Sequence, residues 1–161
     1  MAEQPDRPVA LPRRSHPAAR AILLDPAGRV LLLRGRDPQD ATGPSFWFTP
    51  GGGLEAGEEP LAALRRELWE ELGQQVADLA GPVASEHVEF AFDGSWLVVD
   101  SVFSWARVPA AFAPRPRLLT ELEQRFLLGW RWFTAAELAA PRDEAVYPAD
   151  LAGIVAGLPA A

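Results

Sequence analysis

Glu67, Glu70 and Glu71 crowd into RELWEEL near the middle of the chain, and Glu58 and Glu59 stand shortly before them. If this segment is helical, positions 67 and 70, and 67 and 71, are surface neighbours. Each like-charge pair at such a spacing costs about 0.2–0.5 kcal/mol. Arg66 offsets part of that cost, because Glu70 lies one helical turn beyond it. Two readings fit the cluster. One is a solvated acidic helix face. The other is a cation site. Carboxylates beside the glycine-rich turn at Gly51, Gly52 and Gly53 form an all-oxygen donor set that suits Mg²⁺ or Mn²⁺. No His or Cys lies close enough in sequence to suggest zinc.

The elements that must carry these residues follow from local pattern. PLAALRRELWEEL, residues 60–72, is the clearest helix. Pro60 suits its first turn and Gly73 its C-terminal stop, and Glu58 and Glu59 sit near its positive end. At about 100° per residue, Leu61, Leu64, Leu68 and Leu72 form one stripe, and the three glutamates form an arc centred roughly 110° away. Glu71 borders the stripe, beside Leu64. Before this helix, ARAILLDPAGRVLLLRG reads as two strands about a turn at Asp25–Gly28, and FWFTPGGG as a short strand running into a turn. After it, VEFAF and SWLVVDSVFSWARV flank Asp93–Gly94, a hairpin signal. VPAAFAPRPRLLTE is expected to be a long loop, and LGWRWF a strand. Thr134 and Glu137 make a capping-box pattern for a short helix, and YPADLAGIVAGL a second. Strands on both sides of a central helix indicate an α/β domain with a mixed sheet. Residues 1–16, rich in Pro and Arg, are expected to be a flexible arm, and residues 17–161 the domain.

Bulk composition narrows the chemistry. The chain has 161 residues, 48% of them hydrophobic, which suits one domain with its own core. Its net charge of −7 disfavours tight nucleic-acid binding. An acidic protein that holds cations can instead take an anionic substrate through them. Cysteine is absent, which excludes disulfides, thiolate metal sites and cysteine nucleophiles, and fits the cytoplasm. All basic residues are Arg, so a lysine nucleophile and a P-loop lysine are excluded as well. No stretch approaches the roughly 20 apolar residues of a membrane span.

The segment from Gly52 to Gln74 resembles the signature of the Nudix hydrolases, G-x5-E-x7-R-E-U-x-E-E-x-G-U, with U a bulky apolar residue. Gly52, Glu58, Arg66, Glu67, Leu68, Glu70, Glu71 and Gly73 occupy their specified places. Gln74 departs at the final U, with Val76 two residues on, which is expected to alter packing after the helix and not the chemistry. WFTPGG and RWFTAAEL extend the resemblance weakly.

The resemblance implies an α/β/α sandwich with a mixed, mainly antiparallel sheet and the helix of the signature on one face. It implies metal-dependent hydrolysis of a nucleoside diphosphate linked to another moiety. By the same resemblance, Glu67, Glu70, Glu71 and the Gly51 carbonyl are the metal ligands. Arg66 orients Glu67, or else forms a plain surface ion pair. Glu58 braces the loop, and Gly52, Gly53, Gly57 and Gly73 serve backbone geometry. The general base is Glu67 or a glutamate from a late loop, Glu121 or Glu123, with Glu86 and Glu89 as more remote candidates. His16 and His87 are expected to be structural or solvated. Trp47, Phe48 and Trp132 are candidates for stacking on a base.

The substrate is open. The SQPWPFPxS pattern of NADH enzymes is absent, Glu89 stands where ADP-ribose enzymes tend to carry proline, and the coenzyme A pattern is missing. A nucleoside triphosphate is the default for a MutT-like chain of this size. The alternatives are an RNA 5′-end pyrophosphohydrolase, for which Arg7, Arg13, Arg14 and Arg20 offer a basic arm, and a non-catalytic ligand sensor. An isopentenyl diphosphate isomerase is disfavoured by the absence of cysteine. The expected partner is a small nucleotide derivative, with a homodimer left open.

Overall fold

The computed structural model describes residues 10–161. Eight strands and four helices follow in the order β1 (Arg13–Leu24), β2 (Val30–Gly35), β3 (Phe46–Phe48), β4 (Gly51–Gly53), α1 (Pro60–Leu72), β5 (Ala80–Phe92), β6 (Ser95–Arg107), α2 (Glu121–Phe126), β7 (Leu127–Phe133), α3 (Ala135–Ala139), β8 (Ala145–Tyr147) and α4 (Leu151–Ala156). The strands form one mixed sheet, mainly antiparallel, in the order β5-β6-β1-β2-β3-β8, with β4 paired to β1 and β7 to β2. The parallel pairs are β1 with β6 and β3 with β8. Among the described residues, no helix is long and apolar enough to cross a membrane.

β1 is the strand on which the site depends. One edge pairs with β6 along its whole length. The other edge is divided: Ala18, Ala19 and Arg20 face β4, and Leu24 pairs with Val30 of β2. Bonds from Ala21 N to Pro50 O and from Leu54 N to Pro17 O pin both ends of the glycine turn into that fork. Side chains alternate along the strand. Ala19, Ala21 and Leu23 join Leu64, Leu68 and Leu72 of α1 in one core, while Ile22 and Leu24 join Leu151, Leu138 and Ile154 on the opposite face. The sheet is therefore covered on both sides, as the expected sandwich requires.

α1 spans the residues expected of it. Gly73 ends the helix at φ 68°, and its N–H reaches back to the carbonyls of Leu68 and Trp69. Val76 packs on the α1 core, supplying the apolar contact that Gln74 does not. The loop between β6 and α2 donates to the last turn of α1, from Arg115 N to Leu72 O and from Arg117 N and Leu118 N to Glu70 O. Carbonyls that would otherwise be orphaned are thus satisfied by a segment distant in sequence.

The structure differs from the sequence reading in five places. Gly51–Gly53, expected to be a turn, form strand β4 and pair with Ala18–Arg20 of β1. Arg13–His16, expected in the arm, are the first residues of β1 and pair with Trp96–Val99; residues 1–9, Arg7 among them, lie outside the described residues. β5 begins at Ala80, well before Val88. β8 was not expected. Residues 121–126 are helix and not loop, started by a capping box in which the Thr120 hydroxyl accepts from Glu123 N and the Glu123 carboxylate accepts from Thr120 N. The pattern T-x-x-E was present at 120–123, as at 134–137, but Leu118 and Leu119 before it carry no helical periodicity.

Asp25 holds the β1–β2 turn. It is 1% exposed, and its carboxylate accepts from Ala27 N, Arg29 N and Arg29 Nε at 2.7–3.0 Å. Burial pushes its pKa up, but the bonds from Arg29 and Ala27 outweigh burial and hold it below the ordinary value. Asp25→Ala strands these donors and should cost about 1–3 kcal/mol. That lowers the melting temperature by ~2–4 °C for each kcal/mol in a domain of this size. An unchanged melting curve would mean that the backbone bonds alone hold the turn.

Candidate active site

The glutamates of α1 divide between two partners. Glu67 and Glu71 are buried, at 8% and 3% exposure, on the edge of the helix nearest β4, and Glu70 is partly exposed. Glu71 Oε2 accepts from Gly51 N at 3.0 Å. Glu67 lies directly against Gly52, where a Cβ would stand 2.5 Å from its carboxylate carbon. Gly51 has φ +134°, and a Cβ there would be 2.2 Å from Ala19 O. Side chains at 51 or 52 would push the turn off β1 or the carboxylate out of place.

Arg66 gathers the rest. Its guanidinium grips Glu58 in a two-bond fork at 2.9 and 3.0 Å, and donates to Glu67 Oε1 at 2.8 Å, Glu70 Oε2 at 3.3 Å and Gly53 O at 3.1 Å. This joins the loop before α1 to both glutamates and to β4, so Arg66 is more than a surface pair. Arg66 also holds the Glu58 carboxyl down to about 2. Its own pKa rises, chiefly through Glu58.

A second guanidinium, which the sequence reading assigned to the basic arm, belongs to this site. Arg20 lies inside β1 and donates to Gly51 O at 3.1 Å. Its Cζ sits 5.7 Å from the ring centroid of Phe48. Enclosure lowers its pKa, and Glu71, Glu67, Glu86 and Glu123, in that order, oppose the fall. The available signal was a charge set between AA and AILL in a strand that is otherwise apolar.

The other candidates separate by position. Glu123 of α2 is close enough to raise the pKa of both Glu71 and Glu67, although its carboxylate also caps its own helix. Glu86 of β5 acts on Arg20 and accepts from Ala149 N. Glu121 is exposed at the start of α2. Glu89 is engaged elsewhere, with Arg13, Trp96 Nε1 and His87. His16 packs beside Gly53, its pKa lowered by burial and then by Arg20; His87 is solvated and pairs with Asp100.

Two of the three aromatic candidates are displaced. Trp47 points to the face of the sheet opposite α1, edge-on to Phe133, because it alternates with Phe46 and Phe48. Trp132 is 8% exposed, and its Nε1 is committed to Phe112 O. Phe48 is likewise 8% exposed in the core beneath α1, with the Phe126 ring at 5.9 Å and the Arg20 guanidinium over it.

Among the described residues, no three acidic, His or Cys side chains converge into a ready cation cage. Glu67 and Glu70 are drawn to Arg66, and Glu71 to Gly51 N. The donor set is nevertheless entirely oxygen, and its charge is under-compensated. Burial pushes the Glu71 carboxyl up to about 8, against its bond from Gly51 and the field of Arg20. Burial also raises Glu67, against Arg66. Such an oxygen set can take up a hard divalent cation, and the Glu71 carboxyl can accept a proton near neutral pH.

The NUDIX domain model matches residues 14–150 of the chain. An RNA pyrophosphohydrolase of Roseobacter denitrificans is 31% identical over 154 residues, covering 83% of this chain and 84% of that protein. A putative 8-oxo-dGTP diphosphatase 2 of Mycobacterium tuberculosis is 65% identical over 51 residues, only 32% of this chain and 35% of that protein. Among solved structures, the dihydroneopterin triphosphate pyrophosphohydrolase of E. coli shares the fold, with a TM-score of 0.58 and 21% identity over 83% of this chain and 90% of that one.

Raising the pKa of Glu71 on folding gives it a definite effect on stability. The folded chain holds this proton more tightly than the unfolded chain. The resulting stabilisation is whole below about 4.5 and is lost as pH rises through about 8. In EDTA the melting temperature should therefore fall across that window. Glu71→Gln should give a shallower fall and melt higher than wild type at the alkaline end. Parallel curves for the two proteins would show that Glu71 carries no such penalty.

Proposed function

The chain belongs to the Nudix family, whose members are hydrolases of phosphoric anhydrides, and on that premise we propose that it hydrolyses a nucleoside diphosphate linked to a further group, with Mg²⁺ or Mn²⁺. A nucleoside triphosphate or related nucleotide is the substrate class we favour. One observation carries the reading: Glu67 is buried against Gly52 and gripped by Arg66, next to a buried Glu71 on Gly51. Placing these charges out of water without a purpose would cost stability.

In this reading Glu67, Glu70, Glu71 and the Gly51 carbonyl hold the cation. Bound there, a divalent ion supplies positive charge for the diphosphate and lowers the pKa of the attacking water. Arg66 keeps Glu67 oriented and Glu58 braces the loop that presents Gly52 and Gly53. Glu67 or Glu123 takes the proton from water. Glu121, exposed at the helix start, is the weaker candidate.

Cleavage of a 5′-triphosphate on RNA is the second reading. It is favoured by the relative matched over most of both chains, which bears the name RNA pyrophosphohydrolase. The net charge of −7 weighs against a long nucleic-acid contact. Parallel assays of nucleoside triphosphates and 5′-triphosphorylated RNA separate the two by their ratio of kcat/KM. We expect free nucleotides to be preferred.

Glu67→Gln should fold and melt like wild type, because the amide has nearly the same shape. Turnover should fall by about 10²–10⁴-fold, the usual cost of a lost base, or further if a metal ligand is lost. A rise in the metal concentration for half-maximal rate identifies a ligand, and a fall in kcat at unchanged metal dependence identifies a base. Normal turnover in the variant, or full wild-type activity in excess EDTA, would return the cluster to a solvated acidic face.

A further inference from the structure

Arg20 stands where the reading above puts a metal. Its guanidinium donates to Gly51 O, the carbonyl assigned to the cation, while Gly51 N is held by Glu71. The carboxylates that act on it are Glu71, Glu67, Glu86 and Glu123, drawn from α1, β5 and α2. The guanidinium lies over the Phe48 ring, its Cζ 5.7 Å from the centroid. Arg66 shares only Glu67 with this set; its donors go to Glu58, Glu67, Glu70 and Gly53 O, and none goes to Glu71 or Gly51 O. The Glu71 end of the cluster therefore has Arg20 as the positive group on its carbonyl.

We infer that Arg20 is a positioning residue that acts as the internal cation of this site, latching the Gly51 carbonyl in the metal-free protein and releasing it when a divalent cation binds. The inference rests on the proposed metal site. A like charge a few ångströms from the ion opposes its entry, and two groups cannot both occupy the same side of one carbonyl. Arg20 thus weakens metal binding while it stabilises the metal-free cluster. The trade gives a site that folds without metal yet remains open to it. A purely structural arginine would leave metal affinity untouched.

The test needs no substrate. Mn²⁺ binding is followed on the full chain by the loss of the free-ion electron paramagnetic resonance signal, for wild type, Arg20→Gln and Arg20→Lys. Arg20→Gln should bind Mn²⁺ about tenfold tighter or more, since an effective dielectric of about 20 still leaves a sizeable repulsion at this range. Arg20→Lys, which keeps the charge, should stay near wild type. The melting temperature of Arg20→Gln should be lower than wild type in EDTA and should gain more on adding Mn²⁺. If Arg20→Gln is unfolded in EDTA, Mn²⁺ should restore its circular dichroism, and failure to do so overturns the inference. Equal or weaker binding by a folded Arg20→Gln, with wild type binding normally, overturns it and leaves the metal site standing. Absence of binding in all three proteins removes the metal site itself, and the inference with it.

Discussion

Glu67 and Glu71 lie buried within one turn of each other on α1, and their repulsion is the constraint that the neighbouring elements meet. Two guanidiniums meet it from different directions. Arg66, on the same helix, draws Glu67 and Glu70 toward the loop and locks that loop through Glu58. Arg20, on β1, meets the cluster from the sheet side. Neither arginine neutralises the group, and burial leaves the Glu71 carboxyl raised. A site in this state holds electrostatic demand that a divalent cation would satisfy.

Backbone geometry makes the approach possible. The divided edge of β1 accepts β4 where β2 has not yet paired, and the bonds from Ala21 and Leu54 fix the turn there. The turn is then close enough to α1 that glycine at 52 is the only residue that leaves room for the Glu67 carboxylate. The apolar stripe of Leu64, Leu68 and Leu72 seats the helix and so sets the depth of both buried glutamates. Packing and chemistry share one rigid body, because a shift of the helix large enough to relieve the charges would also open the core.

The loop from β6 to α2 links a second region to the same helix. Its amides satisfy the last carbonyls of α1, and Arg117 stacks over Trp69 at 5.1 Å. That attachment brings α2 alongside and sets Glu123 near Glu67 and Glu71. The capping box that starts α2 holds the Glu123 carboxylate at Thr120 N, so a catalytic role for it requires that bond to break. Glu67 is under no such restriction beyond its bonds to Arg66.

Local information was readable in the chain itself. The helix from Pro60 to Leu72, its buried leucines, its stop at Gly73 and the turns at Asp25–Gly28 and Asp93–Gly94 all follow from periodicity and turn chemistry within a few residues. So does the acidic cluster, because neighbours on one helix turn are fixed by the helix alone. What tertiary structure decided is which distant groups meet it. Arg20 reaches Gly51 across 31 positions of sequence, and Trp47 and Phe48, adjacent in the chain, face opposite sides of the sheet. Strand alternation says that two such neighbours part company, but not which one turns toward α1. The pairing of β1 with β4 brings Arg20 to Gly51, and the pairing of β3 with β2, with α1 seated on one face, turns Phe48 toward α1 and Trp47 away.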